Sequence, residues 1–75
     1  MLHIGKEIEA ELRRQERSVT WFANKLYCDR TNVYKIFKKQ TIDSDLLYRI
    51  SAILQKDFFV LLSDELKSSN RRKID

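Results

Sequence analysis

The sequence predicts an all-α domain, a small five-helix arrangement followed by a basic tail. Three observations carry that reading. Gly appears once and Pro never in 75 residues, which disfavours hairpins, whose primed turns draw on Gly, Asn or Asp. Apolar residues recur at helical spacing. Side chains suited to helix N-caps (Ser18, Asp29, Asp43 or Ser44, Asp57) stand ahead of the later periodic stretches.

A chain this short makes one domain, residues 1–66, and buries only about 60–65% of its unfolded surface. Its composition, 43% hydrophobic and 35% charged, is that of a soluble globular protein. The single Cys excludes an internal disulfide and fits a reducing, cytoplasmic setting. The longest apolar run is Phe58 to Leu62, far short of the ~20 residues of a membrane helix. The N-terminus has no signal-peptide pattern.

Helix 1 is expected over residues 4–16. Ile4, Ile8 and Leu12, spaced by four, make a narrow apolar stripe. Glu7, Glu9, Glu11, Arg13, Arg14, Glu16 and Arg17 fill the rest and read as a solvated surface. Glu9 and Arg13 form an i, i+4 pair worth roughly 0.3 kcal/mol. Arg13, Arg14 and Arg17 could still reach a phosphate. His3 has no second His or Cys at metal-ligand spacing, so no metal site is expected.

Residues 18–40 are the centre of the chain. Ser18 caps a helix whose Val19, Phe22, Ala23 and Leu26 share one face. Tyr27 and Cys28 break that face. Asp29 caps helix 3 (about 29–39), with Val33, Ile36 and Phe37 on its inner side. Helices this closely joined must cross steeply, as in a helix-turn-helix. The other side of helix 3 carries Arg30, Thr31, Asn32, Tyr34, Lys35, Lys38 and Lys39. These side-chain types read base edges in a major groove. Trp21 falls off the Phe22–Leu26 face. It either lies across the domain edge with one ring face buried or meets a stacking or phosphate partner. Cys28 reads as a small buried hydrophobe. Tyr34 either faces outward or packs back on Phe37 or Lys38.

The spacing of Ser18, Ala23, Leu26, Asp29, Val33 and Ile36 resembles the helix-turn-helix of the Cro and phage-repressor (Xre) family, over roughly residues 4–62. The resemblance implies a lambda-repressor-like fold in which helix 3 is the recognition helix. By position it puts Arg30, Thr31, Tyr34 and Lys35 against bases. It puts Ser18, Val19, Asn32, Lys38 and Lys39 near the DNA backbone. Three residues depart from the family pattern. Tyr27 stands where the family has Gly in the turn, Arg17 where an apolar residue precedes the cap, and Trp21 where a polar residue is usual. A non-Gly residue at positive φ costs on the order of 1 kcal/mol, which leaves a turn of different shape open.

Helix 4 is expected within 41–54, capped by Asp43 or Ser44 after a Thr41-Ile42 loop, with Leu46, Leu47, Ile50, Ile53 and Leu54 as a broad apolar stripe and Ile42 closing the core. Helix 5 should run from Phe58 to about Leu66. Phe58, Leu61 and Leu62 share a sector, while Phe59 and Val60 point elsewhere. Partly exposed, those two are the expected homodimer interface. The tail, residues 67–75, is polar and basic and is expected to be disordered.

Charge follows the same division. The total is +4. Counting Lys and Arg against Asp and Glu gives zero for residues 1–17 (4 against 4) and +4 for 18–40 (5 against 1). It gives −3 for 41–66 (2 against 5) and +3 for 67–75 (4 against 1). Positive charge on the motif and tail is the footprint expected of a nucleic-acid binder, and is equally what lysines on a solvated helix face give.

The expected function is sequence-specific binding of double-stranded DNA and, by the resemblance, transcriptional regulation of a prokaryotic or phage type. The alternative is an antitoxin or other partner-binding protein on the same fold, with helix 5 meeting a toxin or another protein. No acid–base pair or activated nucleophile is placed for catalysis, so an enzyme is not expected. No cofactor is implied. RNA is disfavoured, because an A-form major groove does not admit helix 3.

Overall fold

The computed structural model describes the backbone of residues 2–74 and the side chains of residues 2–68. It is all-α, with α1 (Ile4–Arg14), α2 (Val19–Lys25), α3 (Arg30–Lys38), α4 (Ser44–Leu54) and α5 (Phe59–Ile74), and no strand among the described residues.

Capping explains the helix starts. Ser18 Oγ accepts from the Trp21 N–H at 2.9 Å, Asp29 Oδ1 from Asn32 at 2.9 Å, and Asp43 Oδ1 from Leu46 at 2.8 Å. Asp57 Oδ1 accepts from Phe59 at 2.9 Å and Val60 at 3.3 Å. Each bond satisfies a first-turn donor that the helix itself leaves unpaired. α4 therefore begins at Ser44, with Asp43 as its cap and Thr41 and Ile42 in the loop before it. His3, in a role its sequence context did not suggest, caps α1: its Nδ1 accepts from the Lys6 N–H at 3.1 Å.

The helix ends use left-handed residues without glycine: Glu16, Tyr27 and Gln55 have φ of 58°, 56° and 54°. After α2, the Cys28 N–H donates to the Ala23 carbonyl at 3.0 Å and the Tyr27 N–H to Asn24 at 3.2 Å. This is the Schellman arrangement, in which the left-handed residue lets two late carbonyls find donors. The same arrangement ends α1 at Arg14, two residues short of the expected end, with Glu16 and Arg17 donating to Arg13 and Leu12. The turn thus keeps its left-handed residue although Tyr occupies it.

The one glycine is needed elsewhere. Gly5 lies where the start of α1 meets the end of α3. The Ile4 and Gly5 N–H groups donate to the Gln40 and Lys39 carbonyls at 3.0 and 2.9 Å. A Cβ on Gly5 would collide with the carbonyl oxygens of Ile36, Phe37 and Lys39.

The core joins Ile4, Ile8 and Leu12 of α1 to Phe22, Ala23 and Leu26, to Val33, Ile36 and Phe37 of α3, and to Leu47, Ile50 and Leu54 of α4. Phe58 closes it, fully buried. Leu46, Ile53, Ile42 and Leu61 are half-buried against its edge.

Three expectations need correction. Glu11 is not part of the solvated surface of α1; it is buried. Its carboxylate accepts from Arg14 Nε at 3.0 Å and from Gln15 Nε2 at 2.7 Å, and Lys56 Nζ lies 3.9 Å away. Gln15 Nε2 also donates to the Leu54 carbonyl at 2.7 Å, tying α1 to the end of α4. Leu62 does not join the buried sector with Phe58 and Leu61 but is 39% exposed. α5 leaves the globule after its first turn, and residues 62–68 are all exposed. It also continues to Ile74, beyond the expected end near Leu66. No Gly or Pro interrupts the stretch, so the sequence has no stop signal there. The side chains of the tail from residue 69 onward lie outside the described residues. The molecule is elongated, 46 × 20 × 20 Å.

Candidate functional site

α3 turns Val33, Ile36 and Phe37 inward and anchors them in the core. That fixes its other face. At 100° per residue Arg30, Thr31, Tyr34, Lys35 and Lys38 fall within an arc of about 140°, and all five are exposed. Asn32 and Lys39 are exposed at its margins. The expected base-facing residues therefore lie together on one surface.

That surface has two flanks. On the α1 side, Tyr34 and Lys38 border a groove with His3, Lys6, Glu9 and Phe37. The Tyr34 ring meets Phe37 edge-on at 6.2 Å between centroids, yet remains 52% exposed. Packing on Phe37 thus orients the ring without hiding it. On the α4 side, Asn32, Lys35 and Lys39 border a groove with Cys28, Leu46 and Arg49. Arg49 Nη2 donates to the Leu26 carbonyl at 3.2 Å, satisfying an acceptor at the end of α2. Lys6 and Arg49 join this surface from other helices. Only tertiary packing brings them beside α3, so no local signal marks them.

The remaining expected backbone contacts are more dispersed. The Ser18 hydroxyl is exposed but already accepts the Trp21 N–H. Val19 is half-buried against the core, so a contact there falls to its first-turn N–H.

Electrostatics separate these groups sharply. The described ion pairs are Arg13 with Glu9 at 3.0 Å and Arg14 and Lys56 with Glu11. None involves Arg30, Lys35, Lys38 or Lys39. Glu11 is held down to about 2 from 4.5, first by the hydrogen bonds from Arg14 and Gln15. Burial pushes the Cys28 thiol up, and Asp29 adds to it, while Arg49 acts in the opposite sense. A raised thiol is a poor nucleophile at neutral pH.

Trp21 is half-buried and packs on the core edge. Arg17 Cζ lies 4.6 Å and Lys25 Nζ 5.8 Å from its ring centroid, both within cation–π range. Among the described residues no cluster of His, Cys, Asp or Glu could hold a metal ion, and no helix is long and apolar enough to cross a membrane. The chain matches no protein-family model, and no curated protein or solved structure shows significant similarity to it.

Proposed function

We propose that the chain binds double-stranded DNA sequence-specifically by setting α3 in the major groove, and that it regulates transcription. One observation carries the reading. The outward face of α3 combines Arg30, Thr31, Tyr34 and Lys35, all exposed, with no ion pair to its cations among the described residues. α2 and α3, joined by a four-residue turn, act here as a helix-turn-helix. Arg30, one residue past the cap, donates twice to guanine in this reading, worth roughly 1–3 kcal/mol of discrimination. Thr31, Tyr34 and Lys35 complete the base-facing set. Lys38 and Lys39, with Ser18, Val19 and Asn32, contact phosphates and supply salt-dependent affinity.

Phe59, Val60, Leu62 and Leu66 are 37%, 49%, 39% and 61% exposed along α5. Apolar exposure on one projecting helix marks a protein interface. We assign it to a homodimer, which would present two α3 helices to successive major grooves. The same stripe supports the second reading, an antitoxin or other protein that engages a partner through α5.

Selection from mixed genomic duplexes across a salt series tests the DNA reading. Wild type should enrich a pseudo-palindromic site. An Arg30→Ala, Lys35→Ala variant should lose selectivity yet keep weak, salt-sensitive binding. Absence of selection by the wild type would overturn it. Sedimentation separates the two uses of α5: a homodimer favours the regulator, and a monomer that copurifies with another protein favours the partner-binding reading.

A further inference from the structure

The two flanks of α3 differ in charge. The groove on the α1 side brings Lys6 and Lys38 together with the carboxylate of Glu9. The cleft on the α4 side, about 300 Å³, is lined by Lys35, Lys39 and Arg49 and by no acidic residue among the described ones. Its floor is apolar, with Leu26 and Ile36 buried and Cys28 and Leu46 half-buried. Its charged groups therefore gather at the rim. Two acids are close by in the chain. Asp29 is taken up as the cap of α3, accepting from the Asn32 N–H at 2.9 Å. Asp45, one turn before Arg49 on α4, forms no ion pair with it among the described residues.

Arg49 differs from the lysines beside it. Its Nη2 donates to the Leu26 carbonyl at 3.2 Å. That bond anchors the guanidinium through one of its five N–H donors, and the side chain remains exposed. An arginine oriented before a ligand arrives loses less conformational freedom on binding than a free lysine does. Asn32 and Lys39, the α3 residues expected at the DNA backbone on this flank, border the same cleft.

We propose that Arg49 is a further DNA contact, donating to a phosphate of the strand that passes along the α4 flank of α3. The assignment rests on the DNA reading of α3 and extends it to α4. Lys35 reads a base, Asn32 and Lys39 take phosphates, and Arg49 adds a contact that is already oriented. Such a contact strengthens binding to every sequence alike and carries no base preference.

Arg49 also serves the end of α2, and a salt series separates that structural role from a phosphate contact. Wild type, Arg49→Ala, Arg49→Gln and Arg49→Lys would be titrated with a short duplex carrying the site that the wild type enriches, and with a scrambled duplex of the same composition. Arg49→Ala should bind both about tenfold more weakly. Its plot of log affinity against log salt should be shallower by about 0.9, the share of one phosphate. Arg49→Gln removes the charge but keeps an amide donor for the turn, and should lose the same slope while melting closer to wild type. Arg49→Lys should recover the slope. Preference for the site over the scrambled duplex should be unchanged in all three, unlike in Arg30→Ala, Lys35→Ala. A wild-type slope in Arg49→Ala and Arg49→Gln overturns the proposal, leaving Arg49 as a support of the α2–α3 turn and the DNA reading intact. A changed preference overturns the phosphate assignment in favour of a base contact. A wild type that binds neither duplex overturns this proposal and the DNA reading together.

Discussion

The charges gathered around Glu11 and those spread along α3 are built on opposite terms. Glu11 is buried, and Arg14, Gln15 and Lys56 surround its carboxylate. The α3 cations are exposed and meet no carboxylate among the described residues. Burying a charge costs free energy unless its hydrogen-bonding capacity is used, so the first group serves the fold. An exposed, unpaired cation adds little to stability but stays available to a phosphate or a base edge. The difference lies in geometry, since both groups draw on ordinary Glu, Arg and Lys side chains.

Removing Glu11 should have the largest effect. Glu11→Ala leaves Gln15 short of an acceptor and loosens the α1–α4 tie, and we expect a loss of about 2 kcal/mol in urea unfolding. The figure is kept modest because Arg14 is largely exposed. The same carboxylate sets an acid dependence. Its folded-state value, about 2, lies below its ordinary value of 4.5. Its contribution is therefore fully present above the ordinary value and is lost as pH falls from about 4.5 towards about 2. Glu11→Gln should flatten the stability profile in that window. An unchanged profile would show that Glu11 is not the titrating support.

Much of this contrast could be read from the chain, and some could not. Ser18, Asp29, Asp43 and Asp57 cap helices as their positions implied, because a cap acts within three residues. The stripes of α1, α3 and α4 went inward, since periodicity alone selects the face. The outward character of the α3 residues followed from the same count. Burial of Glu11 did not follow. Lys56 and the Leu54 carbonyl lie some forty residues further along the chain, and local pattern gives a carboxylate on α1 no sign of them. Gly5 was equally silent, because its requirement comes from the carbonyls of α3 and not from its own turn. The place of Arg49 beside α3 depends on the approach of α4, which no local pattern shows.

Tyr27 sharpens the comparison at the junction of α2 and α3. Its backbone carries left-handed strain while its side chain is 92% exposed. The ring thus contributes little packing to offset the strain. Tyr27→Gly should raise stability by roughly 0.5–1 kcal/mol, the relief being reduced by the greater entropy of glycine in the unfolded chain. Thermal melting would measure it. A loss of stability would mean that the ring packs more than its exposure implies.

The smallest expected effect tests the comparison from its other side. Arg30→Ala, Lys35→Ala removes two cations that the fold does not pair. Both are exposed on a helix anchored by Val33, Ile36 and Phe37. Alanine is also the better helix former. The unfolding free energy should therefore stay within about 0.5 kcal/mol of wild type. A drop as large as that of Glu11→Ala would place these cations in the service of the fold, and the argument that α3 keeps them for a ligand would fail. An unchanged melting curve, together with lost selectivity for DNA, would separate the two groups of charges by function as cleanly as burial separates them in space.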